Sequence, residues 1–287
     1  MTTNIIHTKK FLSLFKKLKP VIGMVHLPAL RGEPGYVRDD YVIKTATFDI
    51  AALHASRVDG LLIENWHHDG TTPFVSEVTV KSMSRVLSAL RHKIVIPWGI
   101  NVLHNDYRAA FQLAIKHKAS FVQLDVFTDQ VESDFAFSPE AKKHPFTVKA
   151  DADEIMQFRQ SAGVAIPLIV FVQPKHYRML EANVTIEQSV KRALAKGADG
   201  VIVTNRTGKA PDFNLIRSAK LAAQSGPVGV GSGVSVDNVC KILKQVDFVI
   251  VGTSIKYASD ITNAVSIDRV RALMGKVKYL RKNAYRR

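Results

Sequence analysis

Two short segments near the end of the chain combine strand-like apolar residues with glycines and hydroxyl side chains. They are PVGVGSGV at positions 227–234 and VIVGTSIK at positions 249–256. Glycine lets the backbone approach an anion closely, and the first N–H groups of a helix can donate to it. The pattern predicts a phosphate site, with tight glycine turns that hold no ligand as the alternative. Six residues form the predicted site: Gly231, Ser232, Gly233, Gly252, Thr253 and Ser254.

Two carboxylates interrupt otherwise apolar runs. Glu64 lies in GLLIENW at 60–66, and Asp125 lies in FVQLDVF at 121–127. A buried carboxylate costs several kcal/mol unless it is paired or hydrogen-bonded, so each needs a partner such as a lysine or a metal ion. We interpret both as catalytic residues, acting as a general base or as a ligand. A structural ion pair across the fold is the alternative.

Lys175 and His176 follow the apolar run PLIVFVQ at 167–173. A lysine at such a position can form a Schiff base or bind a phosphate group, and a histidine can transfer protons near neutral pH. We add both to the predicted catalytic residues, with an exposed loop pair as the alternative. Further polar side chains at the ends of apolar runs are predicted to bind substrate: His26, Asn65, Asn101, Asn105, Asp106 and Thr204.

His67, His68 and Asp69 form a cluster of potential metal ligands. Adjacent histidines rarely face one metal ion, and no further ligand spacing accompanies them, so we assign no metal and name no cofactor. The chain also lacks the GxxxxGK[ST] phosphate loop, a GxGxxG segment after a first strand and the known nucleic-acid motifs. We therefore do not predict nucleic-acid binding.

Eight apolar runs alternate with helical patterns along the chain, and this alternation predicts the fold. The runs lie at 21–27, 60–66, 94–103, 121–127, 167–173, 200–205, 227–232 and 247–253, and the clearest helical patterns lie at 45–57, 79–91, 106–118 and 186–196. Runs that are apolar almost throughout are typical of parallel strands buried on both faces. We predict a single (β/α)8 TIM barrel of the α/β class, whose working residues lie at the carboxyl ends of the strands.

Two further patterns bear on this prediction. DGLLIEN at 59–65 resembles DGVIVTN at 199–205, as expected of strands half a barrel apart. The region 128–152 is the longest stretch without a strand-like run. Since it follows the fourth run, we predict that it is a functional lid on the site face or a disordered segment.

Basic residues are concentrated at the two ends of this 287-residue chain, whose net charge is +15. Residues 1–20 hold five lysines and residues 271–287 hold seven lysines or arginines, without any acid in either segment. We predict a basic amphipathic helix at 1–19, the barrel at 20–275 and a basic tail at 276–287. The helix either plugs the bottom of the barrel or lies on a membrane. The ends suit an anionic surface or an acidic partner, or are solvated faces.

The single cysteine, Cys240, excludes an internal disulfide and argues for a reducing compartment. No apolar run reaches the roughly 20 residues that span a bilayer, and the first residues lack the apolar core of a secretory signal. We therefore predict a cytoplasmic homo-oligomer, with peripheral contact to a membrane as an alternative location.

Several motifs, taken together, resemble the BtpA/SgcQ family from about residue 20 to residue 275. They are IGMVHLPAL at 22–30, ENW and PF within 64–74, GINVLHND at 99–106, TNRTG at 204–208, GSGVSVDNV at 231–239 and VGTSIK at 251–256. The resemblance implies one TIM-barrel domain. It also implies two functional labels: a photosystem I biogenesis factor, and a nucleosidase or sugar-related enzyme.

The chain departs from the family pattern at three places. Gln123-Leu124-Asp125 stands where the family has arginine, valine and asparagine, residues 133–137 replace an acid-Gln-Gly loop, and Phe171 stands at an aspartate position. We therefore expect an enzyme or former enzyme that acts on a phosphorylated small molecule, most plausibly a nucleotide or ribose phosphate, with glycosidic-bond cleavage as one reaction. The alternative is a non-catalytic assembly factor that docks through its basic ends.

Overall fold

A computed structural model describes residues 11–67, 71–135, 142–161 and 166–284. These residues form eleven strands: β1 Val21–His26, β2 Gly60–Glu64, β3 Trp98–Asn101, β4 Phe121–Leu124, β5 Gln130–Ser133, β6 Thr147–Lys149, β7 Leu168–Val172, β8 Tyr177–Met179, β9 Gly200–Val203, β10 Val228–Val230 and β11 Phe248–Val251. Eight of them, β1–β4, β7 and β9–β11, pair in parallel and close into a barrel in which β11 pairs with β1. The prediction of a (β/α)8 barrel is confirmed.

One α-helix follows each barrel strand in the described chain. These helices are α1 Asp39–Ala55, α2 Glu77–Leu90, α3 Tyr107–His117, α4 Ala152–Ser161, α5 Ile186–Ala195, α6 Phe213–Ala223, α7 Val239–Leu243 and α8 Ile267–Ala284. Side-chain caps fix several starts. Asp106 accepts from the N–H of Ala109, and Thr185 forms a reciprocal capping box with Gln188. Asp106 therefore precedes α3 instead of belonging to it.

Aromatic side chains fill the bottom of the barrel. The ring of Phe11 is 5.3 Å from that of Phe121 and 5.0 Å from that of Phe248, measured between centroids, and Phe15 packs beside it. The described part of the predicted N-terminal helix is only one 3-10 turn, Leu12–Leu14. The backbone becomes extended at Phe15 so that the chain can enter β1 after Pro20. Residues 1–10 lie outside the described residues.

Three aspartates at the amino end of the barrel have equivalent contacts, which explains the internal repeat. Asp59 accepts from the N–H of Val21 at 2.8 Å, and Asp199 accepts from the N–H of Leu168 at 2.9 Å. Each carboxylate thus joins the start of its own strand to the neighbouring strand. Asp247 does the same to the N–H of Val228, and arginine or lysine pairs with all three. At the amino ends of the strands, the three aspartates therefore fix the register between neighbouring strands.

The prediction of a long loop at 128–152 is wrong for its described parts. They contain β5 and β6, which form a three-stranded antiparallel sheet with β8. Val126, Val131 and Val148 give this sheet a small core of its own. The sheet leaves the barrel after β4 and β7, so it lies at the carboxyl end of the strands. Residues 136–141 of this region lie outside the described residues.

The basic end of the chain is helical as far as it is described. Helix α8 runs without interruption through the predicted boundary at residue 275, and Leu273, Met274 and Val277 are buried against the barrel. Residues 276–284 are therefore the last turns of a packed helix. The division of the chain into three segments stays a prediction, and residues 285–287 lie outside the description.

Candidate active site

A cavity of about 460 Å³ opens at the carboxyl ends of the barrel strands. All six predicted phosphate-binding residues line it, and so do His26, Glu64 and Lys175. The fold therefore brings together residues that are separated by up to 228 positions, from His26 to Ser254, because the loops after parallel barrel strands meet at one end.

Glu64 lies between two polar side chains in adjacent strands. The strand register aligns His26 of β1 with Glu64 of β2, and Glu64 with Asn101 of β3. Asn101 Nδ2 donates to Glu64 Oε2 at 2.9 Å and to Asp125 Oδ1 at 3.2 Å. Gln123 Nε2 also donates to Asp125, at 3.1 Å. One amide nitrogen therefore holds both carboxylates, and Asp125 has one donor more than Glu64.

Burial and like charge together perturb the two carboxylates. Burial, followed by the negative charge of Asp125, raises the pKa of Glu64 to about 7, although Lys175 and the Asn101 hydrogen bond oppose this shift. Burial also raises the pKa of Asp125, against the hydrogen bond from Gln123. A glutamate that titrates near neutral pH can both give and accept a proton. Glu64 lines the cavity, whereas Asp125 lies beneath it.

Replacement of Asp125 by asparagine should lower the pKa of Glu64 below its value near 7, since it removes a like charge. We expect a fall of about one unit. Carbon NMR of the labelled glutamate carboxyl groups across a pH series would measure it. Asn101→Ala is the matched test of opposite sign, because it removes a hydrogen bond that stabilises the charged form. An unchanged or raised pKa in Asp125→Asn would contradict the assigned coupling.

His26 is buried and neutral at physiological pH. Burial and the charges of Lys256 and Lys175 hold its pKa well below the usual value of 6.5. Its Nε2 lies 3.9 Å from Glu64 Oε1. Since the imidazole is neutral, this contact is not an ion pair. Nδ1 has no hydrogen-bond partner among the described residues, so a polar ligand group could supply one.

Lys175 is a cation of the cavity wall. Its Nζ lies 5.8 Å from the centroid of the Phe171 ring, which also lines the cavity. Phe171 thus lies next to Lys175, at the position where the resemblance to the family implies an aspartate. Lys175 therefore has no carboxylate from position 171 beside it, and its charge is available to an anionic ligand.

His176 lies next to the loop after β9 and does not line the cavity. Its Nε2 is 2.9 Å from Thr207 Oγ1, and Lys175 N donates to Thr204 Oγ1 at 3.1 Å. Burial and the nearby Lys175 and Arg206 charges lower the pKa of His176 to about 4. A neutral imidazole that joins two loops holds the cavity wall in place, so Thr204 and His176 position Lys175 and Thr207.

The loops after β10 and β11 form one rim of the cavity. Gly233 has φ +59°, and Ser232 Oγ accepts from the N–H of Asn205 at 2.7 Å. Ser254 Oγ donates to the carbonyl of Val234 at 2.6 Å, which joins the two loops. A 3-10 turn begins at Thr253, and its first N–H groups have no intrahelical partner. These N–H groups lie beside the cavity.

Three predicted substrate-binding residues accept hydrogen bonds from backbone N–H groups and do not line the cavity. Asn65 accepts from the N–H of Leu103 at 2.7 Å, and Asn105 accepts from the N–H of Val126 at 2.9 Å. Asp106 caps α3. Asn101 lies one layer below the cavity wall, as the bridge between the carboxylates. These side chains shape the site without facing its open space.

Several cavity residues were not among the predicted site residues. Gln123 lines the cavity and interrupts an apolar strand, just as Glu64 does, so the same signal could have identified it. Trp66 and Thr207 also line it, without a pattern that distinguishes them in the sequence. Lys256, by contrast, faces away: its Nζ donates to the carbonyl of Asn263 at 2.8 Å and pairs with Asp49.

Within the described ranges, no group of three or more histidine, cysteine, aspartate or glutamate side chains could hold a metal ion. His68 and Asp69 lie outside those ranges. None of the helices in the described ranges is long and apolar enough to cross a membrane.

The fold and the site define a (β/α)8 barrel whose polar cavity lies at the carboxyl ends of its strands. Residues 17–279 match the BtpA family, and the chain belongs to this family. An uncharacterised protein of Pyrococcus horikoshii is 34% identical over 92% of this chain and 97% of its own length. The photosystem I biogenesis protein BtpA of Synechocystis is 30% identical over 91% of this chain and 88% of its own length.

Among solved structures, an archaeal fructose 1,6-bisphosphate aldolase is similar in fold. Its TM-score is 0.54 and its sequence identity is 14%, over 93% of this chain and 97% of that chain. This similarity supports the barrel architecture alone.

Proposed function

We propose that the chain is an enzyme that acts on a phosphorylated small molecule bound in the barrel mouth. The observation that carries this proposal is the position of Glu64, a buried carboxyl group with a pKa of about 7 that faces a cavity of ligand size. Perturbed carboxyl groups of this kind cluster at catalytic sites. Glu64 is the general acid–base, and Asp125 keeps its pKa near neutrality.

The rim loops would bind the phosphate group. The N–H groups at Thr253, the close backbone approach at Gly233 and the charge of Lys175 all suit an anion. Barrels of this type commonly bind phosphate with the loops after their last two strands. A ligand anchored there would extend across the cavity towards Glu64 and His26.

A nucleotide or ribose phosphate is the ligand class that we favour, with glycosidic-bond cleavage as the reaction. Glu64 in its protonated form would give its proton to the leaving group as the glycosidic bond breaks, and the negative charge of nearby Asp125 would favour the positive charge that develops on the sugar. A water molecule would then add to the sugar carbon and return a proton to the Glu64 carboxylate. His26 and Gln123 would orient hydroxyl groups, since both carry a buried polar atom without a described partner.

A thermal-shift screen against nucleoside phosphates and sugar phosphates tests the proposal. A ligand present at 100 times its dissociation constant should stabilise the protein by about 2.7 kcal/mol. A compound that stabilises the chain is then assayed for turnover. If no compound in a broad panel stabilises the folded protein, the proposed ligand class is wrong.

Thr253→Glu should abolish the stabilisation by any phosphorylated ligand, because it places a carboxylate beside the predicted phosphate. We expect a loss of at least about a hundredfold in affinity, or about 3 kcal/mol. Thr253→Gln is the matched control, since it has the same size without the charge. Equal affinities of the two variants would show that the phosphate does not lie at this rim. Isothermal titration calorimetry would measure both.

A further inference from the structure

A basic groove lies at the opposite end of the barrel from the cavity. It has a volume of about 660 Å³ and is lined by residues 16–18, 55–57, Asp59 and α8 positions between 271 and 282. Residues 16–18 precede β1 and Asp59 precedes β2, so this surface, which we call the basal groove, lies at the amino ends of the strands. Seven of its lining residues are basic and one is acidic. The fold thus brings the described parts of the two basic segments to one surface.

Hydrogen bonds hold the walls of the basal groove in place. Arg281 donates to the carbonyls of Leu18 at 2.8 Å and Lys19 at 2.9 Å, and it pairs with Asp59. Ser56 Oγ lies 2.8 Å from the carbonyl of Ala52 and 3.3 Å from the carbonyl of Ile267, so its single proton is shared between the end of α1 and the start of α8. The groove is therefore preformed, and its one acid is already neutralised by Arg281.

The remaining six cations of the groove have no such partner. Their side chains are exposed, and none forms an ion pair with the part of the chain that the structure describes; they are Lys16, Lys17, Arg57, Arg271, Lys278 and Lys282. Like charges gathered on one surface repel one another and oppose the compact state. An anion with several charges would relieve this repulsion. Because the groove is preformed, little free energy would be lost in ordering it on binding.

The shape of the groove indicates which anion it fits. Its volume is in the range of small-molecule sites, roughly 300–1,000 Å³. Arg271 and Lys282 are separated by eleven positions of α8, or about 16 Å at about 1.5 Å per residue. Several linked phosphate groups would fit this length. A flat bilayer would meet only the outermost side chains of a concave groove of this volume.

We propose that the basal groove binds a soluble anion with several linked phosphate groups. The site is separate from the barrel mouth and does not rest on the function proposed there. Lysine and arginine side chains are the residues that bind phosphate oxygens most strongly, through charge-assisted hydrogen bonds. The groove supplies them from three segments of the chain, so phosphates along its length would meet cations on both sides.

Calorimetric titration with inorganic tripolyphosphate at physiological ionic strength tests this proposal. The double variant Arg271→Ala/Lys278→Ala should weaken binding at least about tenfold, since it removes two charge-assisted contacts to phosphate oxygens. Lys191→Ala/Arg217→Ala, on α5 and α6, removes the same charge from exposed residues that do not line the groove, and it should change the dissociation constant less than about twofold. Circular dichroism would confirm that both variants fold.

Further variants and a vesicle experiment distinguish this proposal from unspecific charge attraction and from membrane binding. Lys16→Ala/Lys17→Ala should weaken binding as the first variant does, since both lysines line the same groove. Equal weakening in the Lys191→Ala/Arg217→Ala control would show unspecific attraction to net charge and overturn the proposal. So would an absence of tripolyphosphate binding. Sedimentation with phosphatidylglycerol vesicles that depends on Arg271 and Lys278, without competition by tripolyphosphate, would overturn it in favour of a membrane contact.

Discussion

Glu64→Gln should lower turnover of the phosphorylated ligand about a thousandfold while leaving its dissociation constant near that of the unchanged protein. The substitution keeps the size of the side chain and its contact with Asn101, but it removes the only group that titrates near neutral pH on the cavity wall among the described residues. Single-turnover kinetics and calorimetry on the ligand found by thermal shift would measure both quantities. Turnover that persists would remove Glu64 from the mechanism.

The same substitution should stabilise the fold at alkaline pH. The pKa of Glu64 is about 7 in the native protein and 4.5 in an exposed glutamate. The native state therefore holds this proton more tightly, and the free energy of unfolding falls as pH rises from 4.5 to about 7. Above that window the charged, buried carboxylate costs on the order of 3 kcal/mol. Glu64→Gln lacks this cost, so its melting temperature at pH of about 8 should exceed that of the unchanged protein.

Glu154→Gln is the control with the opposite sign. Glu154 accepts hydrogen bonds from Tyr107 and Arg108, and these contacts lower its pKa. Its charge therefore stabilises the fold above the usual glutamate pKa, and its removal should lower the melting temperature slightly. Turnover should not change, since Glu154 lies on the exposed surface of α4. If Glu64→Gln also destabilised the protein at alkaline pH, the raised pKa of Glu64 would be wrong.

The sequence predicted those parts of the site that depend on local residue types. Glycines and hydroxyl residues after two apolar runs are a local signal, and all six line the cavity. A carboxylate inside an apolar run is another, and it identified Glu64 and Asp125. The eightfold alternation fixed the end of the barrel at which both must lie.

The partners of these residues could not be predicted because they depend on register and side-chain direction. The pairing of β2 with β3 places Asn101 beside Glu64, and no local pattern specifies that pairing. Successive strand residues face opposite sides, so Asn65 points away from the cavity that Glu64 faces. Both residues are polar side chains near the end of the same run at 60–66, and this sequence signal does not show which of them faces the cavity.

The small sheet was missed for a different reason. Strands β5, β6 and β8 have three or four residues each, with polar side chains at several positions. Periodicity cannot identify strands this short. β5 and β6 precede β7 in the chain, whereas β8 follows it, so their pairing is not local. The stretch of 25 residues without a strand-like run therefore contains two strands that the sequence pattern does not show.

Gly233→Ala should cost on the order of 3 kcal/mol of folding free energy and abolish ligand binding at the rim. A Cβ at this position would lie 2.0 Å from the backbone nitrogen of Ala210 and 2.1 Å from the carbonyl carbon of Lys209. Backbone on both sides cannot yield as a side-chain tip would, so the loop after β9 must move. Gly233 also has φ +59°, which adds strain for any other residue.

Gly208→Ala separates these two effects. Gly208 has φ +82°, but a Cβ there would meet no atom within 4 Å. Only the conformational strain remains, so we expect a loss of about 1 kcal/mol and a largely intact rim. Urea unfolding would give both free energies, and calorimetry with the phosphorylated ligand would give both affinities. Similar losses in the two variants would mean that backbone conformation, not the close contact of the two loops, makes glycine necessary at position 233.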